Sequence, residues 1–172
     1  MPNEAEWLQA LEEQVRALGP RQWTTSAGLR LVDQALAEHP TSAGLWNRRG
    51  DLIQLLEDEA EPYSLADART SYERARAVDP TDPQAYESLG YFFDAVAGRL
   101  GEAEGMFRKA IELGAGPSSW AGLARVLAQL GQVQEALDLL ARSSCPCADA
   151  RQVIDVRDDI NEGFWSPKQS AG

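Results

Sequence analysis

Residues 84–114 read QAYESLGYFFDAVAGRLGEAEGMFRKAIELG and residues 120–140 read WAGLARVLAQLGQVQEALDLL. In register, Tyr86, Leu89, Gly90 and Phe93 fall on Trp120, Leu123, Ala124 and Leu127, and Ala103, Phe107 and Ala110 answer to the second half that Ala136 and Leu140 begin. The leading aromatics lie 34 positions apart. In both stretches apolar residues recur at helical spacing, and Gly131 closes the first helix of the second stretch. A period of this length marks a two-helix unit, and one such pair cannot bury its own apolar face, so copies must stack.

Working outward, an earlier copy starts at Trp46, continues through Gly50, Ile53, Ala68, Tyr72 and Ala75, and stops at Pro80. It carries Arg49 where an apolar residue is usual. Trp46 and Tyr86 are 40 positions apart, so this copy holds an insertion. Gly50 to Ala68 spans 18 positions, against 13 from Gly90 to Ala103 and 12 from Ala124 to Ala136. Either the first helix is longer or the turn is looped out. Glu57, Asp58, Glu59 and Glu61, ended by Pro62, make the stretch acidic, which fits a solvated loop and also a contact for a basic partner. Gly50, Gly90 and Ala124 are expected where the second helices bearing Ala68, Ala103 and Ala136 cross, since a larger side chain would push the axes apart. Asp82 as N-cap with Pro83 at the first helical position, and Gly114 before Pro117, supply the punctuation.

Over residues 41–144 the pattern resembles the tetratricopeptide repeat family, on the W-x2-L-G-x2-Y and A-x3-F spacings of the residues above. The resemblance implies an all-α fold: a right-handed solenoid of antiparallel helix pairs, with clear repeats over 41–80, 81–116 and 117–147. At the N-terminal side, residues 4–40 read as a degenerate helix pair. Asn3 and Glu6 form a capping-box-like start, and Trp7, Leu8, Leu11, Val15 and Leu18 form an apolar stripe stopped by Gly19 and Pro20. The second helix of that pair runs from about Ser26 to Glu38, with Val32 and Ala35 before Pro40. Residues 148–162 read as a capping helix, marked by Val153, Val156 and Ile160 and solvated by Arg151, Asp155, Asp158 and Asp159. Residues 1–165 are thus expected as a single domain and 166–172 as a flexible tail. Phe164 and Trp165 are too large to leave in water; they are expected to fold back on the final helices, or else to dock in a neighbouring chain or occupy the groove as an internal mimic of the ligand.

In this family, function lies on the concave face. The first-helix side chains expected there, standing clear of the core, are Asn47, Asp51, Gln54, Gln84, Glu87, Tyr91, Asp94, Arg125 and Gln129. Amides can bond both edges of an extended peptide, Tyr91 offers a ring and a hydroxyl, and Glu87 and Asp94 would select lysine or arginine. The lysine, asparagine and arginine set with which tetratricopeptide cochaperones grip a terminal carboxylate is missing, because the corresponding places hold Asn47, Asp51, Ser88, Ser118 and Gly122. In size and charge the chain is more similar to the small acidic secretion chaperones of this class.

The charge of −11 and pI near 4.5 disfavour nucleic acid and suit a basic or polar polypeptide. No long apolar run exists and Met1-Pro2-Asn3-Glu4 lacks a secretion signal, so no membrane partner is expected and the cytoplasm is the expected location. His39, the single histidine, sits at a helix end, and no catalytic triad can be assembled from it. No catalytic residues, metal ligands or cofactors are expected. The expected function is a non-catalytic protein-interaction module or adaptor. The alternatives are a chaperone for a secreted or assembling protein and a thiol- or metal-dependent regulator using Cys145 and Cys147, although a C-x-C pair supplies only two of the four ligands of tetrahedral zinc.

Overall fold

The computed structural model describes residues 9, 13, 26–56, 62–141, 145 and 147–165. The apolar stripe from Trp7 to Leu18, the acidic run from Glu57 to Glu61 and the tail 166–172 lie outside the described residues. Among the described residues there are eight α-helices, one π-helical segment and no strand. The helices are α1 (Ser26–Glu38), α2 (Ala43–Gln54), α3 (Leu65–Val78), α4 (Pro83–Tyr91), α5 (Leu100–Glu112), α6 (Pro117–Gln129), α7 (Val133–Ala141) and α8 (Arg151–Asn161). The π-helical segment, Phe92–Val96, continues α4. By backbone proximity the chain divides into two compact units, residues 1–85 and 86–172, with the division falling within α4.

The punctuation read from the sequence is realised locally. Asp82 Oδ1 accepts the Gln84 N–H at 2.9 Å as α4 begins, which satisfies one of the donors a helix start leaves open. Gly131 adopts φ +83° and closes α6 with its N–H on Ala128 O and the Gln132 N–H on Leu127 O, each at 2.9 Å, a left-handed stop that a side chain would strain. The insertion in the Trp46 copy does not lengthen the first helix: α2 ends at Gln54 and α3 begins at Leu65, so the extra residues fall between the two helices. Ser64 opens α3 with a capping box, its N–H and hydroxyl both on Asp67 Oδ2.

In the first unit α2 packs on α1 and α3. Arg49, the departure from the apolar pattern, joins three elements. Its Nε donates to Asp33 of α1 at 2.7 Å, an Nη donates to Ser71 of α3 at 2.8 Å, and the guanidinium lies 5.3 Å from the ring of Tyr63. Tyr63 in turn donates to Asp33 at 2.8 Å. Arg49 is therefore the fitting that ties down the exit of the insertion, a task an apolar side chain cannot perform.

In the second unit α6 packs on α5, α7 and α8, and almost every residue from Ser119 to Ala128 is buried. The small residues of the first helices answer to aromatic rings rather than to the small residues of the second helices. A Cβ at Gly50 would strike the Tyr72 ring, and a Cβ at Gly90 would lie 2.8 Å from the ring of Phe107. Gly122 faces the same Phe107, with 2.6 Å available. Phe107 is fully buried and also meets Tyr91 edge-on at 5.0 Å. In the last repeat Leu140 replaces the ring, and there Ala124 takes the place of the glycine.

This pairing gives a quantitative expectation. Gly122→Ala gains up to about 1 kcal/mol of helix propensity but overpacks a wedged ring, for a net loss of about 1–3 kcal/mol. Phe107→Leu relieves the clash, so the double variant should lose less than the sum of the singles by about 1 kcal/mol or more in denaturant unfolding. Additive losses would show that the ring does not set the helix spacing.

Candidate functional site

The nine polar residues read from the sequence fall into two sets. In the first unit, Asn47, Asp51 and Gln54 stand on α2 and the exposed Gln84 on α4. The repeat pattern predicts the α2 side chains clear of the core, but they are packed into it. Asn47 is only 4% exposed. Its Nδ2 donates weakly to Asp82 at 3.4 Å, and its Oδ1 is buried with no partner among the described residues. Asp51 accepts the Tyr72 hydroxyl proton at 2.9 Å, and Gln54 donates to that same hydroxyl. The aromatic wedge explains this arrangement, because a tyrosine driven against Gly50 brings its hydroxyl beside the residue that follows.

Burial pushes the Asp51 carboxyl above its ordinary range, only partly offset by the Tyr72 hydroxyl and Arg48. The same burial, with the Asp51 charge beside it, pushes the Tyr72 phenol up. A raised folded-state pKa means a stabilising contribution that is complete below the unfolded value, near 3.9 for an aspartate, and lost as pH rises through the folded value. Asp51→Asn keeps an acceptor for Tyr72 without the buried charge. The stability of Asp51→Asn relative to the native chain should therefore improve between pH 4 and 7, measured by thermal unfolding. A relative loss over that interval would contradict the burial account.

In the second unit, Glu87 and Tyr91 on α4, Asp94 in the π segment, and Arg125 and Gln129 on α6 form one connected group. Arg125 donates from Nε to Asp94 Oδ2 at 2.9 Å and from Nη2 to the same oxygen, while Gln129 Nε2 donates to Asp94 Oδ1 at 3.0 Å. The Asp94 side chain is 5% exposed and that of Arg125 23%. Tyr91 donates its hydroxyl to Ser118 O at 2.9 Å, and burial pushes its phenol up. Glu87 accepts from the Ser119 hydroxyl at 2.5 Å. The Asp94 charge, expected to select a partner's lysine or arginine, is already matched by Arg125. The Arg125 guanidinium in turn lies 5.5 Å from each of two rings, Tyr91 and Trp165.

Ser119 and Trp165 were not among the residues read from the sequence as site candidates. Ser119 is fully buried, and no motif position in the sequence marks it. Trp165 lies 40 residues beyond Arg125, and only the return of α8 onto α6 brings it there. The π segment left a trace in the spacing, since the 13 positions from Gly90 to Ala103 exceed the 12 of the next copy by one residue. That residue is absorbed by widening the turn, where the Ala97 N–H reaches back five residues to Phe92 O.

Cys145 and Cys147 are free thiols, both buried, with sulfurs 3.0 Å apart. Burial and the neighbouring Cys145 push the Cys147 thiol well above the usual range. Among the described residues no group of three or more His, Cys, Asp or Glu is placed to hold a metal.

Helix pairs of 34-residue period, with aromatic rings seated on small residues of the facing helix, define a tetratricopeptide-repeat fold. No protein-family model and no curated protein sequence matches the chain. Among solved structures it is similar to a thermophilic TPR protein of Thermus thermophilus, at 18% identity and a TM-score of 0.64, over 93% of this chain and 88% of that one. It is also similar to PilW, a widely conserved type IV pilus biogenesis factor, at 17% identity and a TM-score of 0.70, over 95% of this chain and 77% of PilW. The chain thus has the all-α fold of TPR proteins. Among the described residues no helix is long and apolar enough to cross a membrane.

Proposed function

We propose that this chain is a non-catalytic protein-interaction module that holds a polypeptide partner through the polar first-helix side chains of its repeats, with the Arg125 group as the principal anchor. One observation carries the reading. A buried aspartate, itself held by Gln129, grips Arg125 and leaves it partly exposed beside two aromatic rings. A cation fixed in this way contacts a partner without first losing side-chain freedom. The net charge of −11 favours a basic or polar partner. The fold shared with PilW, named as a factor for pilus biogenesis, agrees with a role in assembling other proteins.

The thiol or metal reading is weaker, because a buried thiol whose proton is held tightly is a poor nucleophile and a poor ligand. Catalysis is likewise ill served: Asp94 is spent on Arg125, and Asp51 is bound to a phenol.

Replacing Arg125 alone would strand a buried carboxylate, at a cost of about 3 kcal/mol. The test therefore uses the charge-neutral pair Asp94→Asn with Arg125→Gln, which leaves no buried unpaired charge. Affinity capture from native lysate, quantified by mass spectrometry, should recover a stoichiometric partner with the native chain. The paired variant should lose at least tenfold of it while its unfolding midpoint stays within a few degrees. Undiminished capture by the paired variant would move the binding surface elsewhere.

A further inference from the structure

The two aromatics after α8 are treated differently by the fold. Phe164 is 72% exposed. Trp165 is half-buried, with its ring 5.5 Å from the Arg125 guanidinium and edge-on to Phe164 at 5.0 Å. The end of α8 sets this path. Gly163, at φ +79°, donates its N–H to Ile160 O at 3.0 Å, and the Phe164 N–H reaches back to Asp159 O at 2.9 Å. This left-handed stop turns the chain off the helix axis, and α8 itself rests on α6, the helix that carries Arg125.

The fit is incomplete in one respect. Trp165 Nε1 is buried and has no hydrogen-bond partner among the described residues. A buried N–H without an acceptor weakens the hold on the indole, whereas a ring with no such donor carries no penalty in the same place. The receiving side is firmly built, since Asp94 and Gln129 fix the guanidinium and Tyr91 is anchored through its hydroxyl to Ser118 O. A guanidinium held beside aromatic rings has favourable electrostatics for one more ring and for little else of that shape.

We infer that the Tyr91–Arg125 face is a seat for an aromatic side chain of the polypeptide partner, and that Trp165 is a built-in occupant which the partner's ring displaces. This rests on the reading of the Arg125 group as the partner site. The tether keeps Trp165 at a high local concentration, so the free chain covers its own cation and admits only a partner whose neighbouring residues add contacts of their own. Displacement also frees Trp165 and the adjoining, exposed Phe164 to contact the partner.

The probe is a synthetic peptide of the chain's own residues 162–168, EGFWSPK, blocked at both ends and titrated into full-length protein by calorimetry. The Trp165→Ala chain should bind it at least tenfold more tightly than the native chain. Adding Asp94→Asn with Arg125→Gln should abolish that binding, as should alanine in place of the probe's tryptophan. Equal affinity for the native and Trp165→Ala chains, binding indifferent to Arg125, or no binding would overturn the proposal. If Trp165→Ala does not unfold cooperatively, Trp165→Leu keeps the apolar volume without the π face and must give the same tenfold difference. Failure of the probe while partner capture persists removes the aromatic seat and leaves the interaction module standing. A bound probe with no captured partner removes the interaction module and leaves the seat.

Discussion

The Phe107 ring, lodged against Gly90 of α4 and Gly122 of α6, is the contact on which the second unit depends. A ring has a fixed thickness, and removing the Cβ on the facing helices is the way to bring their backbones onto it. Because the same ring meets both first helices, α4 and α6 approach each other through it. That approach lets Tyr91 and Asp94 reach Arg125 and Gln129. The site follows from the packing: α4 and α6 held further apart would leave Asp94 a buried carboxylate with no cation. In the first unit Tyr72 plays the ring against Gly50, and there the phenol hydroxyl adds a polar consequence by recruiting Asp51 and Gln54.

Equivalent positions of the repeats hold different chemistry on the same frame. Immediately after the small residue stand Asp51, Tyr91 and Arg125, and three positions before it stand Asn47, Glu87 and Ala121. The frame tolerates this variety because the ring contact and the alanines of the second helices carry the packing. One place therefore accepts an aspartate bound to a phenol, a tyrosine bound to a carbonyl, and an arginine bound to an aspartate. Asp94 and Arg125, held in low-dielectric surroundings, are worth more to each other than surface charges would be.

The frame was readable in the sequence for that reason. Small residues, rings and stop signals are local or periodic, and α1 at Ser26–Glu38 and the stop at Gly131 lie where the pattern put them. The site was readable only as a set of positions. Nothing in the spacing tells whether Asn47 faces water or Asp82, because that depends on the packing of α2 against its neighbours. Arg49 departs from the apolar pattern because it meets Tyr63 at the exit of the insertion, a contact that no spacing reveals. Likewise, size alone predicts that both Phe164 and Trp165 fold back, yet only Trp165 does so, over Arg125, while Phe164 stays 72% exposed; which ring is covered depends on where α8 lies.

The most direct measurement is the arginine side-chain NMR spectrum of the full-length chain, with Arg125 assigned by substitution. The two rings 5.5 Å from the guanidinium should shift the Arg125 side-chain methylene protons upfield, while the carboxylate gripping the guanidinium should move its Nε–H downfield. The same grip should slow rotation about its Nε–Cζ bond enough to separate the Nη signals. Arg125 resonances averaged to ordinary solvent-exposed values would contradict the account, because the cation would then be neither held by Asp94 nor faced by the rings.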